Sequence, residues 1–222
     1  MKASRAVLWD MDGTLIDSED LHWIAWRNTL ANEGILITHS QFLSSFGQRN
    51  DSILPRWLGT AATPQRIEKI ANAKEELYRG LIRKYGIAPL PGVERWVHRL
   101  HENGWQQAIA SAAPRANVEA ILEALSVGKV FQGIVSAEDV HHGKPDPEVY
   151  LVAASRVEVS PDRCIVVEDA AAGVEGARRA GMKSIGVNRN GAHLPADVAV
   201  RSLELLDPSA FEMLLEGSAA AK

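Results

Sequence analysis

The chain of 222 residues contains one cysteine, which excludes an intramolecular disulfide. Cys164 lies in the apolar run Cys164-Ile165-Val166-Val167, and that context predicts a buried structural thiol. Charge of one sign is also scarce: the formal net charge is -4, and the Lys and Arg residues are scattered. Without a basic stripe, no nucleic-acid partner is expected. Long hydrophobic runs are missing. The first apolar run begins at Ala6 and stops at Asp10, too soon for a signal peptide or a membrane span. A cytoplasmic protein with no membrane partner is therefore expected. There is no internal repeat or extended low-complexity stretch, and nothing demands more than a monomer. The tail from Gly217 to Lys222 is small and polar and reads as disordered.

What is present has the balance of a globular protein, with 46% hydrophobic and 23% charged residues. The length suits one large domain, or a core carrying a smaller one. Ala6-Val7-Leu8-Trp9 is a short apolar run ending at a turn-forming Asp-Gly segment, which predicts a buried strand. Similar runs recur at Ala108–Ser111, Gly133–Ser136, Ile165–Glu168, Ser184–Val187 and, more weakly, Val198–Val200. Helical spacing of apolar residues lies between them at Val93–Leu100, Ala116–Leu125, Glu148–Arg156 and Val174–Ala180. Strands alternating with helices imply a parallel sheet covered on both faces, an α/β fold.

The stretch from about Asp17 to Ala88 breaks this rhythm. Leu21, Ile24, Ala25 and Asn28 begin one amphipathic pattern. Ile67, Ile70, Ala71, Lys74, Leu77, Tyr78 and Leu81 form another. A helical insertion over 17–88 is expected, returning through Ala88-Pro89-Leu90-Pro91-Gly92, with 1–16 and 89–222 forming the core.

Asp10-Met11-Asp12-Gly13-Thr14-Leu15 directly follows the first strand. Two carboxylates two residues apart can both face a crevice once the backbone leaves the pleat, and Gly13 permits the tight turn. In an open parallel sheet, ligands bind beyond the carboxyl ends of the strands. Ser111 ends a second strand, Lys144 precedes a helix within Gly143-Lys144-Pro145-Asp146-Pro147, and Glu168-Asp169 closes a third strand. Each has a bland local reading as a cap, a solvated loop charge or a helix start. Their order at the ends of alternating strands points instead to one shared pocket.

This ordered set resembles the haloacid dehalogenase-like superfamily of phosphohydrolases, and the resemblance covers nearly the whole chain. It implies a Rossmann-like core with an inserted α-helical cap, and it implies Mg²⁺ as cofactor. By that resemblance Asp10 is the nucleophile, forming an aspartyl-phosphate, and Asp12 is the general acid and base. The Asp10 carboxylate, the Asp12 backbone carbonyl and Asp169 would hold the metal, with Glu168 holding a metal-bound water or orienting the other ligands. Lys144 and Ser111 would neutralise and hydrogen-bond the transferring oxygens. The intact Asp12 argues against the dehalogenase branch, which lacks that second acid.

The resemblance narrows toward β-phosphoglucomutase and related sugar-phosphate phosphatases. Their cap carries a His, an Arg and a Lys facing the substrate, which implies His22, Arg49 and Lys74 here. Trp23, Trp26 and Trp57 are expected mainly to pack the cap. After Ser111 the chain reads Ala112-Ala113-Pro114-Arg115, where Ala113 and Pro114 offer no side-chain donor for the second phosphate that a mutase must hold. Arg115 or Asn117 would have to compensate. The expected function is a phosphatase of small phosphorylated metabolites, sugar phosphates first, with a phosphosugar mutase as the alternative. A catalytically silent phosphometabolite-binding module is the rival of another class. His141 and His142 are expected to be ordinary loop residues rather than metal ligands.

Overall fold

The computed structural model describes residues 4–125, 127–189, 191 and 193–219. Among them, six strands form one parallel sheet: β1 (Ala6–Trp9), β2 (Gln106–Ala110), β3 (Gly133–Val135), β4 (Cys164–Glu168), β5 (Lys183–Val187) and β6 (Val198–Val200). The spatial order is β3-β2-β1-β4-β5-β6, so the direction of winding reverses between β1 and β4. That reversal opens a crevice at their carboxyl ends.

The strands are mostly apolar because both sheet faces are covered, although β2 opens on Gln106-Gln107 and β5 on Lys183-Ser184. Val7 and Trp9 point into one buried layer with Ile109, Val167, Trp96 and Phe211. Ala6 and Leu8 point into the opposite layer with Ala108, Val166, Tyr150 and Ala177. The covering helices are α5 (Val93–Glu102), α6 (Arg115–Leu125), α7 (Glu148–Arg156), α8 (Ala171–Arg179) and α9 (Ala210–Ala219). Cys164 is buried in β4, and burial pushes its thiol up to about 12. Helix α9 takes in Gly217 to Ala219, where the sequence suggests a disordered tail, and residues 220–222 lie outside the described residues.

Between β1 and α5 the chain forms a helical cap: α1 (Glu19–Asn32), α2 (His39–Leu43), α3 (Asn50–Leu58) and α4 (Pro64–Tyr85). The cap has its own apolar centre of Trp26, Leu30, Phe42, Ile53, Leu54, Leu58 and Ile70. Helix α1 packs on α4, and α4 also packs on α6 of the core. The buried face of α1 is His22, Ala25, Trp26, Thr29 and Leu30, whereas Asn28 is exposed. The expected stripe through Asn28 is thus displaced by one position, because α1 buries one side in the cap and presents His22 to the core. The two cap linkers run side by side: Ile16 bridges Pro89, and the Leu90 N–H donates to the Leu15 carbonyl at 2.9 Å.

No helix among the described residues is long and apolar enough to cross a membrane.

Candidate active site

Asp10 leaves β1 with its N–H still donating to the Val167 carbonyl of β4 at 3.0 Å, so its side chain emerges at the reversal point. Gly13 then turns the chain at φ +84°, and its N–H meets the Ile16 carbonyl at 2.9 Å. A Cβ at Gly13 would lie 2.1 Å from Asp169 Oδ2, so only glycine lets this turn sit against that carboxylate. Gly173 in α8 does the same for Glu168, whose Oε1 would be 1.9 Å from an added Cβ.

The floor is a buried charge cluster. Lys144 Nζ donates to Asp10 Oδ1 and to Glu168 Oε1, both at 2.5 Å. Glu168 also accepts from Tyr150 Oη at 3.1 Å and from the Ala170 N–H at 2.8 Å. Thr14 Oγ1 donates to Asp169 Oδ1 at 3.4 Å. One oxygen from each of Asp10, Glu168 and Asp169 falls within 4.8 Å of the others. Burial pushes the Asp10 carboxyl well above its ordinary range; Lys144 opposes this, while the charges of Glu168 and Asp169 add to it. Burial and then Glu168 push Asp169 up to about 8. Burial would lower the Lys144 ammonium, but Asp10 and Glu168 hold it well above its usual value. Three crowded carboxylates share a single ammonium, so ionising all of them needs further positive charge, and an oxygen-liganded divalent cation matches that donor set.

Asp12 belongs to a different environment. Its Oδ1 accepts from Ser18 Oγ at 2.6 Å and faces His22 Nε2 at 3.1 Å, with Tyr78 Oη at 3.5 Å. Burial would raise its pKa, yet His22, Ser18 and Lys74 outweigh burial and hold it at about 2. Two carboxylates two residues apart are thus driven in opposite directions, the pattern expected of groups with different chemical tasks.

Cap helices α1 to α4 roof a cavity of about 210 Å³ over both carboxylates. Ser111, just beyond β2, lines it, as do Ala112 to Pro114, His22, Lys74 and Lys144. Ser111 Oγ already accepts from the Ala113 N–H at 3.0 Å. Arg49 does not line the cavity. Its guanidinium pairs with Asp51 at 2.8 Å and donates to the carbonyls of Ala137 at 2.6 Å and Val140 at 3.3 Å, bridging cap to core. Lys74 is no solvated helix charge: it is 2% exposed, 2.9 Å from His22 Nδ1 and 2.8 Å from Glu75 Oε1. Trp26 both packs the cap and lines the cavity, while Trp23 and Trp57 pack only. His142 comes together with Asp146 and Glu148 at the start of α7. Glu148 Oε2 accepts from the backbone N–H groups of His141 and His142, each at 2.9 Å, so the Glu148 carboxylate shapes the loop before α7.

The family model for haloacid dehalogenase-like hydrolases matches residues 7–187. The chain belongs to this family. It is 31% identical to a β-phosphoglucomutase of Bacillus subtilis over 91% of this chain and 93% of that protein. It is 30% identical to a fructose-1-phosphate phosphatase of Escherichia coli over 82% of this chain and 95% of that protein. The crystal structure of a β-phosphoglucomutase from Clostridium difficile superposes with a TM-score of 0.88 at 26% identity, covering 98% and 99% of the two chains. This member of the family is therefore an enzyme whose relatives include both phosphatases and phosphomutases.

Proposed function

We propose that the chain is a Mg²⁺-dependent phosphatase of small phosphorylated metabolites, sugar monophosphates first among them, acting through an aspartyl-phosphate on Asp10. The observation that carries this reading is the pair Asp10 and Asp12 at the end of the central strand, both facing one roofed cavity. Asp10, Glu168 and Asp169 would hold Mg²⁺, together with the Asp12 backbone carbonyl. When bound, the ion supplies the positive charge that lets a carboxylate approach a phosphate dianion. Lys144 holds Asp10 in place and neutralises the transferring oxygens. Asp10 forms a bond to phosphorus as the bond to the leaving oxygen breaks, and Asp12 protonates that oxygen. The incoming dianion raises the proton affinity of Asp12 for this step. Once the alcohol has gone, Asp12 is left ionised, held so by His22, Ser18 and Lys74, and takes the proton from the water that attacks the aspartyl-phosphate.

The cap half of the cavity favours hydrolysis over a mutase. A mutase must hold a second phosphate there. Among the described residues, the Lys and Arg side chains lining the cavity are Lys74 and Lys144, and both are ion-paired. Arg115, the expected compensator, donates to Asp139 at 2.6 Å, and Asn117 gives its amide to Glu75. What faces the leaving group instead is Trp26, Phe46 and Ile53 with Ser45 and Gln48, a lining suited to an uncharged polyol with an apolar face.

A phosphorus NMR time course tests the reading. With Mg²⁺ and fructose 1-phosphate, inorganic phosphate is expected to accumulate, and a chelator to stop it. If β-glucose 1-phosphate with a trace of glucose 1,6-bisphosphate instead gave glucose 6-phosphate, the enzyme would be a mutase.

Proton linkage gives a second check. The folded, metal-free protein keeps a proton on Asp169 up to about pH 8. The unfolded chain releases it at about pH 4. Stability of the metal-free protein is therefore expected to fall as pH rises through that window. Mg²⁺ replaces the proton, so it should raise the melting temperature more near the top of the window than near the bottom. An equal gain at both ends would remove Asp169 from the metal site.

The cradle glycine gives a third. Gly173→Ala is expected to displace the Glu168 carboxylate and lower turnover about tenfold to a hundredfold with the fold retained. Steady-state kinetics beside a circular dichroism spectrum would show it, and wild-type turnover would contradict it.

A further inference from the structure

Glu75 takes no part in the chemistry above, yet it is a carboxylate 5% exposed beside the reaction chamber. Its two oxygens gather donors from three helices. Oε1 accepts from Lys74 Nζ at 2.8 Å and from Asn50 Nδ2, at the start of α3, at 2.7 Å. Oε2 accepts from Asn117 Nδ2 of core helix α6 at 2.6 Å. Asn117 is fully buried, and its Oδ1 accepts from Arg79 at 2.9 Å, so its amide orientation is set at both ends. The Glu75–Asn117 bond runs from cap to core and exists only while the cap is seated.

Lys74 relays this bond toward the reacting centre. Its ammonium has only donors to offer, so at 2.9 Å from His22 Nδ1 it makes that nitrogen the acceptor. The ring proton then resides on Nε2, which donates to Asp12 Oδ1 at 3.1 Å. Stacking on Tyr78, with ring centroids 3.9 Å apart, fixes the plane of the imidazole. Burial pulls the Lys74 ammonium below its usual value, and a carboxylate against it opposes that pull. Glu75 supplies that carboxylate, and Asn117 secures it from the other side of the cap boundary.

We propose that Glu75 is a positioning residue that couples cap seating to the acid–base geometry of Asp12, acting through Lys74 and His22 and anchored on the core by Asn117. The inference rests on Asp12 as the group that protonates the leaving oxygen. Without Glu75, Lys74 no longer presents a fixed donor to Nδ1, the His22 tautomer is free to change, and the carboxyl of Asp12 loses its aim. Attack by Asp10 and the Lys144 cluster are untouched, since they are held from the opposite wall.

Two substrates separate this role from a merely structural one. The alkyl oxygen of fructose 1-phosphate needs a proton as it leaves, whereas the phenolate of p-nitrophenyl phosphate departs without one. For Glu75→Gln, kcat/KM for fructose 1-phosphate is expected to fall about 10²-fold, with a change of no more than about threefold for p-nitrophenyl phosphate. Asn117→Ala leaves the Lys74–Glu75 pair whole on the cap and is expected to show the same selectivity with a loss of about tenfold. It also carries the test should Glu75→Gln not fold. Equal losses on both substrates, or no loss on either, would overturn the proposal. No turnover of either substrate by the wild-type protein would instead overturn the phosphatase reading on which it rests.

Discussion

Asp10→Asn is expected to abolish phosphate release, a fall of about 10⁴-fold or more, without unfolding the protein. The amide has the same shape but cannot form the bond to phosphorus. The electrostatics point the other way for stability. In the wild type, burial and the neighbouring charges of Glu168 and Asp169 oppose ionisation of Asp10. A neutral amide removes that repulsion, and Lys144 keeps its 2.5 Å bond to Glu168. The variant should therefore melt, without metal, at or above the temperature of the wild type, an exchange of stability against activity seen where catalytic groups are crowded. Turnover by steady-state assay and a thermal melt check both halves. Wild-type turnover in the folded variant would sink the assignment of Asp10. Asp12→Ala, by contrast, should leave phosphoryl transfer from p-nitrophenyl phosphate to Asp10 largely intact in kcat/KM, because the task proposed for Asp12 is to move protons.

The second large effect is expected at Lys144. Its Nζ is the counter-charge between Asp10 and Glu168, and its side chain is 7% exposed. Lys144→Met leaves two carboxylates facing each other out of water. Breaking a buried pair in this way costs about 3–5 kcal/mol. Turnover should also fall about 10³-fold, because the charge that cancels the developing oxyanion is lost. Mg²⁺ is expected to restore part of the stability and little of the activity, since a cation can neutralise the cluster without reproducing the hydrogen bonds. Melting curves with and without Mg²⁺ measure this. Identical curves for variant and wild type in the absence of metal would show that Lys144 does not hold the cluster together.

The core site was legible because each of its parts stands at a strand end, where the change from apolar run to polar residue is a local event. Asp10, Ser111 and Glu168 each follow such a run, and strand pairing brings them together whatever the cap does. Strand limits differ by one or two residues: β2 begins at Gln106, a half-buried polar position that hydropathy alone leaves outside the run, and β4 at Cys164, one place before the expected Ile165. The cap was legible only as a periodicity. The pattern on α4 contains Lys74 among apolar residues, but it carries no sign that Glu75 beside it is also buried. Arg49 shows the same gap: its motif suggests a substrate ligand, whereas its partners are Asp51 and two carbonyls of the core.

The sequence by itself determined the alternating α/β core, the position of the helical insertion, and the set of polar residues at the strand ends. Those follow from near-neighbour propensities and from the fact that a parallel sheet must bury both faces. Only the tertiary structure decided which buried charges face one another: Lys144 between Asp10 and Glu168, and Asn117 against Glu75 across 42 positions of chain. Such pairs depend on how two separately packed layers dock. A charge has the same local sequence signal whether docking leaves it in water or seals it against a partner from the other layer.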